Sequence, residues 1–177
     1  SRSFNFGTLD QLMEGRGRPG HFEGMATVVT RFFELVKPQY AYFGEKDFQQ
    51  LCIVQHVVEQ EGWDVTIVPC AISREPDGLA MSSRNMRLTD AERKSAGEIN
   101  KRIRPYLKEL KQPNTVVKAW EEKVSAELNT IEHLSVEYVT VCFSDNLQQA
   151  NAPNPARPMR VFVAVRCGIV RLIDNYP

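Results

Sequence analysis

The sequence predicts an α/β unit built on parallel strands, followed by a small α+β unit. Three observations carry this. Residues Tyr40 to Pro69 pass from a strand pattern to a helix pattern and back to a strand. A long stretch rich in serine, proline and glycine then interrupts the periodicity. Beyond it the order is helix, helix, strand, strand, strand.

The elements follow in turn. After a Gly-rich entry through Arg16, Arg18, Pro19 and Gly20, the apolar residues Met25, Val28, Val29, Phe32, Phe33 and Val36 recur at helical spacing and predict a helix that ends near Pro38. Tyr40 to Phe43 is a short aromatic-rich strand, which Gly44 breaks. Asp47 is placed to cap a second helix through Phe48, Leu51, Cys52, Val54, Val57 and Val58, and Gly62 closes it. Val65, Ile67 and Val68 mark the next strand. A strand, helix and strand of this length form a βαβ unit with parallel strands and a right-handed crossover.

Cys70 to Leu88 reads as a long loop, a length that in compact domains usually belongs to function or disorder. Thr89 with Glu92 forms a capping box opening a helix through Ala96, Ile99, Ile103, Tyr106 and Leu110. Val116, Val117, Trp120, Val124 and Leu128 mark another helix. Ser135 to Phe143, Arg160 to Arg166 and Val170 to Ile173 are strands, the last two joined at Gly168. A division in or just after the long loop gives two parts, residues 1–83 and 84–177.

Composition narrows the function. Twenty-two basic residues balance 22 acidic ones, so no net field draws the chain to nucleic acid or to an anionic membrane. No apolar stretch is long enough to span a bilayer. The four cysteines are scattered without a CxxC pair, which suits reduced thiols and a cytoplasmic setting. The three histidines, His21, His56 and His133, lack metal-ligand spacing, so no metal site is expected. No nucleophile elbow and no GxxxxGK[ST] loop is present. The first residue is Ser1 rather than Met, from which a processed or excised chain is expected.

Two segments hold more reactive polar groups than structure demands. Phe43-Gly44-Glu45-Lys46-Asp47-Phe48-Gln49-Gln50 lies where a parallel strand passes into a helix, the place where open α/β sheets bind ligands. Gly44 lets backbone approach a nucleotide, and Lys46 supplies a mobile cation. The alternative is a solvated turn. The second segment, Arg74-Glu75-Pro76-Asp77-Gly78-Leu79-Ala80-Met81-Ser82-Ser83-Arg84-Asn85, offers hydroxyls, backbone donors and a guanidinium suited to a polyphosphate. Its alternative is a surface linker. His21, after Arg18-Pro19-Gly20, could contact a substrate or hold the loop.

These strings, with Glu14-Gly15, Arg18-Pro19-Gly20-His21-Phe22 and the closing Arg171-Leu172-Ile173-Asp174-Asn175, keep the order and approximate spacing of the pantothenate synthetases (pantoate–β-alanine ligases), and the chain resembles that family over essentially its whole length. The resemblance implies a partial Rossmann-like, nucleotidylyltransferase-type unit, related to class I aminoacyl-tRNA synthetases, ahead of the small α+β domain. Met81-Ser82-Ser83-Arg84-Asn85 stands where those synthetases carry KMSKS. By resemblance Gly44, Glu45, Lys46 and Asp47 line the ATP site, Gln50 binds pantoate, and Met81, Ser82, Ser83 and Arg84 close over the phosphates. Ser73 stands at a backbone contact to ATP where the family usually has Val. Lys46, Ser82, Ser83 and Arg84 are the implied catalytic groups, while Arg18 and His21 border the substrate cavity.

The implied reaction joins pantoate to β-alanine using Mg·ATP, through a pantoyl adenylate, with AMP and pyrophosphate released. The resemblance also implies a homodimer for the full-length family. The family's HxGH-type motif, the first strands of its sheet and a second pantoate-binding Gln do not occur in these residues, so the chain is expected to be inactive alone and to expose apolar surface. Competing readings are a nucleotide-binding module without catalysis, and a tRNA-synthetase-like or cytidylyltransferase domain; the lack of a basic stripe argues against tRNA.

Overall fold

A computed structural model describes residues 3–177; Ser1 and Arg2, and with them the reading of Ser1 as a start, lie outside the described residues. The chain divides into two compact units, Ser1–Ala71 and Ile72–Pro177.

In the first unit a short helix α1 (Met13–Gly17) leads into α2 (His21–Val36), which Gly20 enters with a φ of 75°. Strand β1 (Tyr40–Gly44) passes through a 3₁₀ turn, Glu45–Asp47, into α3 (Phe48–Glu61), and β2 (Thr66–Cys70) follows. The two strands pair in parallel, Tyr40 opposite Thr66 and Gly44 opposite Cys70, so the βαβ expectation is met. Gly62 closes α3 in the left-handed conformation, its N–H bonded to the Glu59 carbonyl at 3.2 Å. Asp47 occupies the N-cap position of α3 but makes no side-chain cap bond, because the 3₁₀ turn intervenes. The core here is small: Phe6, Phe22, Ala26, Ile53 and Val57.

The second unit holds α4 (Asp90–Leu110), α5 (Val117–Leu128) and an antiparallel sheet of β3 (Leu134–Phe143), β4 (Met159–Cys167) and β5 (Val170–Tyr176) in that order. The Thr89–Glu92 capping box forms at the start of α4, the Thr89 N–H donating to Glu92 Oε2 at 2.8 Å. Ile99, Ile103, Trp120, Val124 and Leu128 pack on Val139, Val141, Val163 and Val165. The Trp120 indole donates to the Tyr106 carbonyl at 2.9 Å, which meets the polar end of that ring inside the core. α4 runs through Pro105, although proline there cannot bond the Lys101 carbonyl, because the apolar face continues in phase on both sides of it.

The sequence-based division between residues 83 and 84 runs through the serine-containing loop, whereas compactness divides the chain earlier, at Ala71. The reason is visible in residues 73–85, which are tied into the second unit by the contacts described next.

Candidate nucleotide site and family

Each unit carries one of the two segments. In the first unit, Gly44 ends β1 and Glu45, Lys46 and Asp47 form the 3₁₀ turn at the carboxyl edge of the parallel pair. Glu45 and Lys46 are half-buried; Gly44 and Asp47 are exposed. Gly44 has a φ of −68°, which any residue adopts, and a Cβ built on it meets nothing within 4 Å. Neither the backbone nor a neighbouring side chain calls for glycine at this position.

The Gln49–Gln50 pair separates in role. Gln49 is buried, and its amide donates to the carbonyls of Leu9 at 2.6 Å and Leu12 at 2.9 Å while accepting from the Glu14 N–H at 3.0 Å. It clamps the entry segment to the first turn of α3. Gln50 is half-buried on the same turn. The clamp helps hold Arg18 and His21 beside the strand-to-helix turn. Burial holds the His21 imidazole below its ordinary range, Arg18 pushes it further down, and Glu14 and Asp47 oppose the shift. His21, Arg18 and Asp47 therefore share one electrostatic neighbourhood. His56 lies elsewhere, its Nε2 3.0 Å from the Asn5 carbonyl.

A separate cavity of about 300 Å³ in this unit is bordered by Phe33, Pro38, Trp63 and Val65. It lies by the amino ends of β1 and β2, the wrong end of a parallel sheet for a nucleotide.

In the second unit the loop is a built structure rather than a slack linker. The Met81 N–H donates to the Ser73 carbonyl at 2.9 Å, Glu75 N–H to the Leu79 carbonyl at 2.8 Å, and Gly78 N–H to the Glu75 carbonyl at 2.8 Å. Gly78 has a φ of 90°, and Asn100 fills the space where its side chain would be. Arg74 grips Asp174 with two bonds of 2.7 and 2.9 Å and also donates to the Gly78 carbonyl at 3.0 Å. Asp77 accepts from Arg93 at 2.6 Å and from the Leu79 N–H at 3.1 Å; the Arg93 bond holds its carboxyl below the usual range. Buried Leu79, Ala80 and Asn85 face inward, the Asn85 amide donating to the Ala80 carbonyl at 3.1 Å.

Those anchors turn Met81, Ser83 and Arg84 outward. Ser82 caps the 3₁₀ turn Ser83–Arg87, its Oγ accepting from the Arg84 N–H at 3.2 Å. Its hydroxyl proton stays available to donate. Ser73 is exposed, but its carbonyl is used within the loop.

The model of the family described as Pantoate-beta-alanine ligase matches residues 3–177. The chain belongs to that family. A pantothenate synthetase of Porphyromonas gingivalis is 44% identical over 99% of this chain and 62% of its own length. One of Bacteroides fragilis is 41% identical, again over 99% of this chain and 61% of its own. The crystal structure of pantothenate synthetase from Thermus thermophilus superposes with a TM-score of 0.88 at 37% identity, covering 99% of this chain and 63% of that one. A pantoate-beta-alanine ligase from Francisella tularensis, complexed with beta-gamma ATP and beta-alanine, matches with a TM-score of 0.73 at 30% identity, over 99% of this chain and 57% of its own. The chain thus spans about 62% of the length of curated relatives in the family. Its fold is the Rossmann-like parallel unit followed by a small antiparallel domain, as expected. Among the described residues, no helix is long and apolar enough to cross a membrane.

Sequence reasoning did not single out Gln49 as a clamp, the Arg74–Asp174 pair, or Asn85 as an inward anchor. Asp174 stood in the closing Arg171–Asn175 string, the one available signal, but nothing local in the chain says what it holds.

Proposed function

We propose that this chain carries two of the nucleotide-gripping segments of a ligase that condenses pantoate with β-alanine at the expense of Mg·ATP. The turn Gly44–Asp47 of the first unit and the loop Met81–Arg84 of the second each carry contacts to ATP. The observation that carries this is Gly44, a glycine which neither backbone conformation nor packing demands, beside Lys46 at the carboxyl edge of a parallel pair.

The chemistry follows from charge. A pantoate carboxylate oxygen attacks the α-phosphorus, the bond to the bridging oxygen breaks, and pyrophosphate leaves with the electron pair. The β-alanine amine then attacks the acyl carbon of the adenylate, and AMP leaves. An anion must approach a polyanion in the first step, so positioning and neutralisation dominate. Lys46 and Arg84 supply positive charge, and Ser82 and Ser83 supply donors to phosphate oxygens. Gln50, on the first turn of α3, takes pantoate, with Arg18 and His21 bordering that cavity. The outward-turned loop also shields the mixed anhydride from water.

These residues include no HxGH motif, since the only histidines are His21, His56 and His133. The isolated chain accordingly binds the nucleotide without completing the adenylation, while the full-length enzyme is a homodimer. The test is calorimetric titration of Mg·ATP into the chain, into Lys46→Ala and into Arg84→Ala, beside pantoate-dependent ATP–pyrophosphate exchange. The expected result is saturable binding, at least tenfold weaker in each variant, with no exchange. Unaltered affinity in both variants rejects the assignment, and robust exchange rejects the inactivity of the chain.

A further inference from the structure

The entry segment of the first unit is folded more tightly than a connection to α2 requires. From Gly7, with a φ of 60°, to Gly20, with a φ of 75°, it runs through consecutive turns and α1. Gly15 is needed there for space, because a Cβ on it would lie 1.8 Å from the Asp10 carbonyl oxygen. Met13 takes a φ of 44°, which a residue with a side chain rarely adopts. Gln49 holds this segment from outside. Its side-chain amide donates to the Leu9 and Leu12 carbonyls, and its Oε1 accepts from the Glu14 N–H. The residue is 4% exposed, so water does not replace those bonds when they are lost. No ligand reaches that amide either, and Gln49 acts through what it holds.

What it holds lies against His21. Phe22 packs in the core with Ile53 and Val57, which fixes the start of α2 on α3 without the clamp. Glu14 in α1 and Arg18 at its end both act on the His21 charge, and Asp47 acts on it from the turn before α3. Loss of the clamp therefore leaves His21 anchored and lets α1 and Arg18 move away from it.

We propose that Gln49 is a positioning residue for the pantoate end of the site: its amide fixes α1 so that Arg18 stays beside His21 and the first turn of α3, where Gln50 stands. This rests on the reading of Gln50 as the pantoate contact. A substrate carboxylate there needs its cation in place, and small displacements of a positioning group carry large costs.

Pantoate is titrated into the isotope-labelled chain, followed by nuclear magnetic resonance at the Gln50 side-chain amide and the His21 ring, and the His21 ring is also followed across pH. Two variants are compared. Gln49→Met keeps the length but loses all three bonds, and Gly15→Ala disturbs the same segment from the Asp10 side. The expected result is saturable shifts in the wild type and binding at least tenfold weaker in both variants. Their His21 titration moves up toward its ordinary value of 6.5 as burial and Arg18 are withdrawn, while the resonances of α3 and of residues 72–177 stay in place. A purely structural role would leave the His21 titration where it was. Gly15→Ala decides the matter where Gln49→Met does not fold. Absence of any pantoate shift in the wild type overturns the Gln50 assignment and this inference with it. Pantoate binding that both variants leave unchanged overturns the positioning role alone.

Discussion

Replacing Asp174 by alanine probes what holds the serine–arginine loop in place. The Asp174 side chain is 8% exposed and that of Arg74 20%. The carboxylate takes both guanidinium bonds, at 2.7 and 2.9 Å, and the Tyr176 hydroxyl bond at 2.8 Å. Its removal leaves a cation largely out of water with no counter-charge. Breaking a buried pair from one side costs about 3–5 kcal/mol, and the partial exposure of Arg74 puts this case near the lower figure, about 3 kcal/mol. With a urea dependence of about 1–3 kcal/mol per molar, the unfolding midpoint falls by at least about 1 M. Because Arg74 also holds the Gly78 carbonyl, amide exchange across residues 75–85 should quicken in the same variant. The double variant Arg74→Met/Asp174→Leu removes both charges and should recover most of the loss. A midpoint for Asp174→Ala within experimental error of wild type would refute the reasoning, since the loop would then be held by something else.

Three further outcomes follow from the same structure. Gly44→Ala should unfold within about 0.5 kcal/mol of wild type, the ordinary range for a substitution with no steric or backbone conflict, yet bind ATP at least tenfold more weakly by calorimetry. Burial raises the Glu121 carboxyl above its ordinary value of 4.5 although it accepts the Val141 N–H at 2.7 Å. Folding therefore disfavours its ionised form, and its contribution is full below that ordinary value and lost as pH rises through the raised one. Glu121→Gln should accordingly resist urea better than wild type at pH 7, with the advantage fading by pH 4. Finally, α2 exposes Val28, Phe32, Leu35 and Val36, and β1 exposes Tyr40 and Tyr42, apolar surface of the kind that drives association. Light scattering should show mass rising with concentration, and Phe32→Ser/Leu35→Ser should suppress the rise.

Local chemistry made much of the fold legible. The Thr89–Glu92 box, Gly62 after α3 and the strand–helix–strand pattern around Gly44 are each decided within a few residues, and each forms as expected. Asp47 misled because a cap residue was assumed to enter the helix directly, and a 3₁₀ turn uses the same residues differently. The loop's order could not be read from its composition. Its main strut joins Arg74 to Asp174, 100 positions apart, and periodicity carries no information over that distance. Gln49 is a similar case, reaching back to Leu9 and Leu12. Resemblance supplied the motif, but only the fold shows that Gln49 is the one turned inward onto the entry segment.

The decisive measurement is hydrogen exchange of the chain across a titration of Mg·ATP, read at residues 44–50 and 81–85. If both segments contact ATP, the protection of each grows and saturates as ATP is added. A segment that gains no protection at saturating ATP contradicts its assignment.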